Sequence, residues 1–92
     1  MVTHTVTVVN HLGMHARAAA KFVHLAARFQ AQVKVAGRNR EMDGKSIMGL
    51  LLLAAARGSM LTISAEGVDE QAAVDALAAL VASGFGEGVW NG

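Results

Sequence analysis

Val2, His4, Val6 and Val8 alternate with Thr3, Thr5 and Thr7 at the start of the chain. β-branched residues at a period of two mark a half-buried strand. Over residues 16–29 the period lengthens: Ala19, Phe22, Val23, Ala26 and Phe29 fall on one side and Arg17, Lys21, His24 and Arg28 on another, which predicts an amphipathic helix with one packed and one basic face. Alternation returns at residues 32–36 through Val33 and Val35, and Gly37, Arg38 and Asn39 are suited to turn the chain into a short polar strand at residues 40–42, expected at a sheet edge. Ser46 is placed to N-cap a second helix over residues 47–56, with a stop near Gly58. Residues 60–66 alternate again through Leu61, Ile63 and Ala65. Gly67 then breaks the strand, and Asp69 is positioned to cap a third helix carrying Val74, Leu77, Leu80 and Val81, with Gly84 as its stop. The glycine-rich end is predicted to fray, with Phe85 docking on the core and Trp90 on the surface.

The element order is therefore βαββαβα. Helices that follow strands, without a second set of strands to cover the sheet, imply two layers: a mostly antiparallel four-stranded sheet with all three helices on one face, an α+β fold. The 92 residues suit one domain, placed at residues 1–86, with a tail at 87–92.

Composition narrows the function classes. Apolar residues make up 53% of the chain, but 18 of them are alanine, so the core must come from fewer Val, Leu, Ile, Met and Phe. Net charge is +1 and charged residues are 16%, which provides no general nucleic-acid-binding face. Without cysteine there is neither disulfide nor thiolate chemistry. The start lacks a signal-peptide pattern, and the longest apolar run, residues 47–56, is half a membrane span. A cytoplasmic, monomeric domain with no membrane insertion is the expectation.

The candidate chemistry lies in "NHLGMHARAAAKF", residues 10–22. Gly13 allows a tight turn, and His15 falls at or beside the N-cap of the first predicted helix. Helix N-termini attract anions through their spare N–H donors and the helix dipole, and Arg17 adds a fork of donors within one turn. Gly13, Ala16 and Ala18 complete a candidate phosphate-binding loop. A neutral imidazole there is a competent nucleophile toward phosphorus. On its own, a lone loop histidine is more often a cap or a solvent-exposed residue of no special importance.

"GMHARAAAKFV" resembles the active-site signature of the HPr family, the phosphocarrier proteins of the bacterial phosphoenolpyruvate-dependent phosphotransferase system, and "GKSIMGLLLL" resembles that family's second signature. The resemblance implies an open-faced β-sandwich of four antiparallel strands with three helices on one side. It also implies that His15 takes a phosphoryl group on Nδ1 from phospho-enzyme I and passes it to a IIA protein or domain, with Arg17 contacting the phosphate. Such a chain is a phosphoryl-transfer intermediate and not a stand-alone turnover enzyme, and it needs no cofactor. Ser46 would be the family's regulatory serine, a substrate of an HPr kinase/phosphorylase in some bacteria. The family's proline after the arginine is Ala18 here, which leaves the first turn less rigid but loses no reactive group.

The second predicted helix is apolar all round, so part of it must be exposed in a two-layer fold. Met14, Ile47, Met48 and Leu51 are accordingly expected to form a docking patch ringed by Arg17, Lys21, His24, Arg28 and Lys45, with Leu50 and Leu53 buried. Three decoys fall away. "GKS" at 44–46 lacks the first glycine of a P-loop, since position 39 is asparagine. His11 and His15 are four apart but straddle Gly13 with no carboxylate near, so no metal site is expected. The basic stripe lacks an aromatic platform for nucleic acid. A regulatory binding module of a nitrogen-type branch, acting on transcription factors or kinases without sugar transport, remains the alternative, and a fold without chemistry the third class.

Overall fold

The computed structural model describes residues 1–86; the tail at 87–92 and Trp90 lie outside the described residues. The elements run β1 (Val2–Thr7), α1 (Ala16–Ala26), β2 (Gln32–Ala36), β3 (Glu41–Asp43), α2 (Ile47–Leu53), β4 (Met60–Glu66) and α3 (Glu70–Ala82). The four strands form one antiparallel sheet in the order β1-β4-β2-β3, which puts β3 at an edge as its polar composition predicts.

Register explains which face is covered. Val2 pairs with Ala65 and Val6 with Leu61, while Val33 and Val35 pair with Ala65 and Ile63, so one face is a continuous apolar surface. α3 packs on β1 and β4, α2 on β3, and α1 on both other helices. Phe22, Leu50, Leu61, Ile63, Leu77 and Phe85 are fully buried between the layers. The opposite face carries hydroxyls: Thr3 Oγ1 donates to Ser64 Oγ at 3.4 Å, and Thr5 and Thr62 share a bond of 3.2 Å across β1 and β4. Such cross-strand pairs satisfy one another and water without an apolar lid.

Three boundaries differ from the periodic reading, and at the ends of both helices contacts with other parts of the chain accompany the change. α1 ends at Ala26 and not at residue 29: the N–H groups of Arg28 and Phe29 tighten onto the carbonyls of Leu25 and Ala26. Those of Gln30 and Ala31 are taken by the two carboxylate oxygens of Asp69, each at 2.8 Å. α2 stops at Leu53, although residues 54–56 are alanines, because Ala54 turns into the left-handed region at φ 49°. β3 lies one residue later than expected, at Glu41–Asp43.

Asp69 stands at the N-cap of α3 but makes no side-chain capping bond, which corrects the capping role expected for it. Its oxygens are spent on the α1–β2 connection instead. Phe85 is fully buried, as expected, with a left-handed φ of 58° just past the end of α3.

The Gln30 N–H, followed by that of Ala31 and the charge of Lys45, holds the Asp69 carboxyl below its ordinary range despite partial desolvation. A depressed folded-state value stabilises the fold above the unfolded-state value and is lost as pH falls through the folded one. Asp69→Asn presents one acceptor where two N–H groups converge. It is therefore predicted to lower the denaturation midpoint at pH 6, and the gap to the parent should close as pH falls below the usual aspartate range. Denaturant titrations from pH 6 to 2 check this; a gap independent of pH would contradict it.

Candidate functional site

The loop between β1 and α1 is built by hydrogen bonds within residues 10–15. Gly13 N–H donates to the Asn10 carbonyl at 3.2 Å, and the buried Asn10 side chain returns a bond from Nδ2 to the Gly13 carbonyl at 2.8 Å. The His15 N–H also reaches the Gly13 carbonyl, at 2.9 Å. Gly13 has φ +67°, which glycine adopts without the cost that a Cβ brings.

The loop is seated against the chain just past α2. Met14 N–H donates to the Ala55 carbonyl at 2.9 Å. A Cβ on Gly13 would run into that same carbonyl oxygen and come within 3.1 Å of Ala56 Cα. Two backbones thus touch directly where a side chain would hold them apart.

His15 is the N-cap of α1, with extended backbone (φ −82°, ψ 179°), and its carbonyl accepts the Ala19 N–H at 2.8 Å to open the helix. Its half-buried imidazole makes no capping bond to the first turn, and that turn has no acidic residue. The first intrahelical bond is the one that the Ala19 N–H makes to the His15 carbonyl, so the N–H groups of the exposed Ala16 and Arg17 come before it and the helix presents donors and a positive dipole end at the level of His15. Arg17 and Ala16 are exposed, whereas Ala18 is fully buried with its methyl in the core. Together these groups can hold an anion beside a nucleophilic nitrogen.

Met14 is not part of an exposed patch: only 4% of it is accessible, which corrects the docking role expected for it. The bond from its N–H to Ala55 fixes its backbone, and its side chain joins the core cluster. On α2, Met48 is 71% exposed and Ile47 more than a third exposed, Leu51 is half-buried against the core, Leu50 is buried and Leu53 half-buried. The exposed apolar residues Leu12 and Leu52 escaped the sequence reading. Leu52 lies in the same apolar run, and a leucine next to a turn glycine was the available signal for Leu12.

The cationic rim is partly engaged internally. Lys21 Nζ donates to the Phe85 carbonyl at 2.8 Å, tying α1 to the turn after α3, and Lys45 Nζ donates to the Phe29 carbonyl at 2.7 Å. An ammonium keeps its charge in such a bond. Arg17 and His24 are exposed along α1, and Arg28 is exposed in the turn just past it. Ser46 is the N-cap of α2 as expected, its Oγ accepting the Gly49 N–H at 3.0 Å. Among the described residues no group of three or more His, Asp or Glu could hold a metal ion, and no helix is long and apolar enough to cross a membrane.

Asn10 was also missed, although an asparagine three residues before a glycine is a turn signature.

Fold and loop together define a two-layer α+β domain that presents an imidazole at a helix N-terminus. The family model described as the PTS HPr component phosphorylation site matches residues 2–83. A phosphocarrier protein HPr from Cupriavidus necator is 51% identical over 88 residues, covering 96% of this chain and 99% of its own. A phosphocarrier protein NPr from Shewanella violacea is 40% identical over 82 residues, covering 89% and 90%. The crystal structure of HPr-C-His from Thermoanaerobacter tengcongensis superposes with a TM-score of 0.92 at 42% identity, covering 97% of this chain and all of that one. The chain belongs to the HPr family of phosphocarrier proteins of the phosphotransferase system.

Gly13→Ala is predicted to cost about 2 kcal/mol or more, because a left-handed Cβ is strained and the new methyl separates the loop from Ala55. Urea denaturation measures this; a loss under about 0.5 kcal/mol, within the range of an ordinary surface change, would contradict the contact.

Proposed function

We propose that His15 is the phosphoryl acceptor, taking the group from phospho-enzyme I and donating it to a IIA protein or domain. The observation that carries this reading is the place of His15: an imidazole at the N-cap of α1, beside a first turn with spare N–H donors, Arg17 and no carboxylate. In the first step an imidazole nitrogen of His15 forms a P–N bond as the bond from phosphorus to the donor breaks; in the second that P–N bond breaks as the acceptor's nucleophile bonds to phosphorus and the electron pair returns to the imidazole. The dipole of α1, the N–H groups of Ala16 and Arg17 and the guanidinium of Arg17 stabilise the negative charge on the phosphoryl oxygens. No cofactor is required, since the donor supplies the activated phosphorus.

The partners would dock on the face that contains α2. Ile47, Met48 and Leu51 offer apolar surface, Lys21 and His24 add positive charge along α1, Arg28 adds it just past that helix, and Lys45 just before α2. Apolar contact supplies the area, while the charges steer an acidic partner. Ser46 is proposed as the regulatory site. Its hydroxyl already stands at a helix N-terminus, where a phosphate is electrostatically tolerated, so modification by an HPr kinase/phosphorylase would add negative charge to the docking face without unfolding α2. Function in the cytoplasm follows from these partners.

Intact mass after incubation with phosphoenolpyruvate and enzyme I from the same cell tests the carrier. The expected result is one added phosphate, removed by brief acid treatment and absent in His15→Ala, because phosphohistidine is acid-labile and phosphoserine is not. An acid-stable adduct, or none, would overturn it. In the latter case tight binding of a regulator by His15→Ala would support the regulatory-module reading instead.

The double variant Arg17→Glu/Arg28→Glu is predicted to slow transfer at low salt by roughly 10- to 100-fold, with the steering part of the loss narrowing in high salt. Stopped transfer assays across ionic strength check this; an unchanged rate would sink the docking assignment.

A further inference from the structure

We propose that Ala54 is a positioning residue for the His15 loop, joining the exit of α2 to the placement of the imidazole through a left-handed backbone. Ala54 is the C-cap of a seven-residue helix, with φ 49° and ψ 38°, and its N–H bonds to the Leu51 carbonyl at 3.1 Å. A residue with a Cβ seldom adopts this conformation, and it persists where the surroundings over-determine it. The surroundings here are the His15 loop. The sharp turn at Ala54 aims the Ala55 carbonyl at the Met14 N–H, and it brings Ala55 and Ala56 into direct contact with Gly13. A little further on, Gly58 N–H donates to the Val8 carbonyl at 2.7 Å and Val8 N–H to the Ser59 carbonyl at 2.8 Å, so the segment is clamped to the strand end that leads into the same loop.

The consequence is directional. If residue 54 left the left-handed region, α2 would gain nothing it lacks, but the Ala55 carbonyl would rotate away from Met14. His15, one residue on, would lose the anchor that fixes where α1 begins. The side chain of Ala54 is exposed, so larger residues there meet water and not the core. What distinguishes them is backbone preference, not bulk.

Asparagine and threonine are nearly the same size, yet asparagine tolerates the left-handed region and a β-branched residue does not. Ala54→Asn and Ala54→Gly are therefore expected to keep the Met14 and His15 amide resonances and the His15 ring-proton shifts of the parent. Ala54→Thr is expected to move those resonances and to raise the hydrogen-exchange rate of the Met14 amide at least tenfold. The functional readout rests on the carrier reading: the phosphohistidine lifetime should change in Ala54→Thr and stay at the parent value in Ala54→Asn. If no form takes phosphate, the carrier reading fails while the amide and ring signals still decide the positioning role. Ala54→Thr with a lower melting temperature but unmoved Met14 and His15 signals would overturn the proposal, as would equal perturbation by Asn and Thr.

Discussion

Much of this molecule turns on one approach of backbone to backbone, where Gly13 lies against Ala55 and Ala56 with no side chain between them. That contact lets the Met14 N–H reach the Ala55 carbonyl, and with Met14 held, His15 can only be the residue that opens α1. Close packing of this kind leaves the loop few alternatives, because neither partner can shift without leaving buried polar groups unsatisfied. A residue whose backbone is set by main-chain bonds in this way is preorganised before any partner arrives.

Stability and chemistry are divided between different parts of the fold. The sheet's inner face and the buried residues of α1 and α3 supply the core, and Asp69 ties the α1–β2 connection to the start of α3. α2 contributes Leu50 to that core but leaves Ile47, Met48 and Leu52 in water. A helix that exposes this much apolar surface is poorly explained by folding alone, and the proposed docking of a partner on this face would offset it. Lys21 serves both sides: its ammonium fastens the turn after α3 while its charge stays on the face of α1.

β2 and β4 were legible to the residue because alternation tracks burial in strands with one covered face. The Ser46 cap was legible for a similar reason, since the chemistry of a cap is local. The end of α2 was not: three alanines favour helix, yet Ala54 turns into the left-handed region and the two alanines after it lie against Gly13 and Met14. Met14 was placed in an exposed patch because it adjoins His15, whereas its backbone is fixed by a hydrogen bond to Ala55, far along the chain, and its side chain joins the core. Asp69 looked like a cap from its position, but its oxygens answer to Gln30 and Ala31. The candidate site was readable as a helix N-terminus with a histidine and an arginine. Its assignment to phosphoryl transfer came from the resemblance of two motifs, not from periodicity.

The central claim is that a loop held by its own main chain presents one particular imidazole to phosphorus. Its most direct test is a 31P–15N correlation spectrum of uniformly 15N-labelled protein treated with phosphoenolpyruvate and enzyme I. The account predicts phosphorus coupled to a single ring nitrogen, Nδ1 of His15, with the amide signals of residues 13–18 shifting alongside. Coupling to the ring of His4, His11 or His24, or phosphorus coupled to no ring, would contradict it.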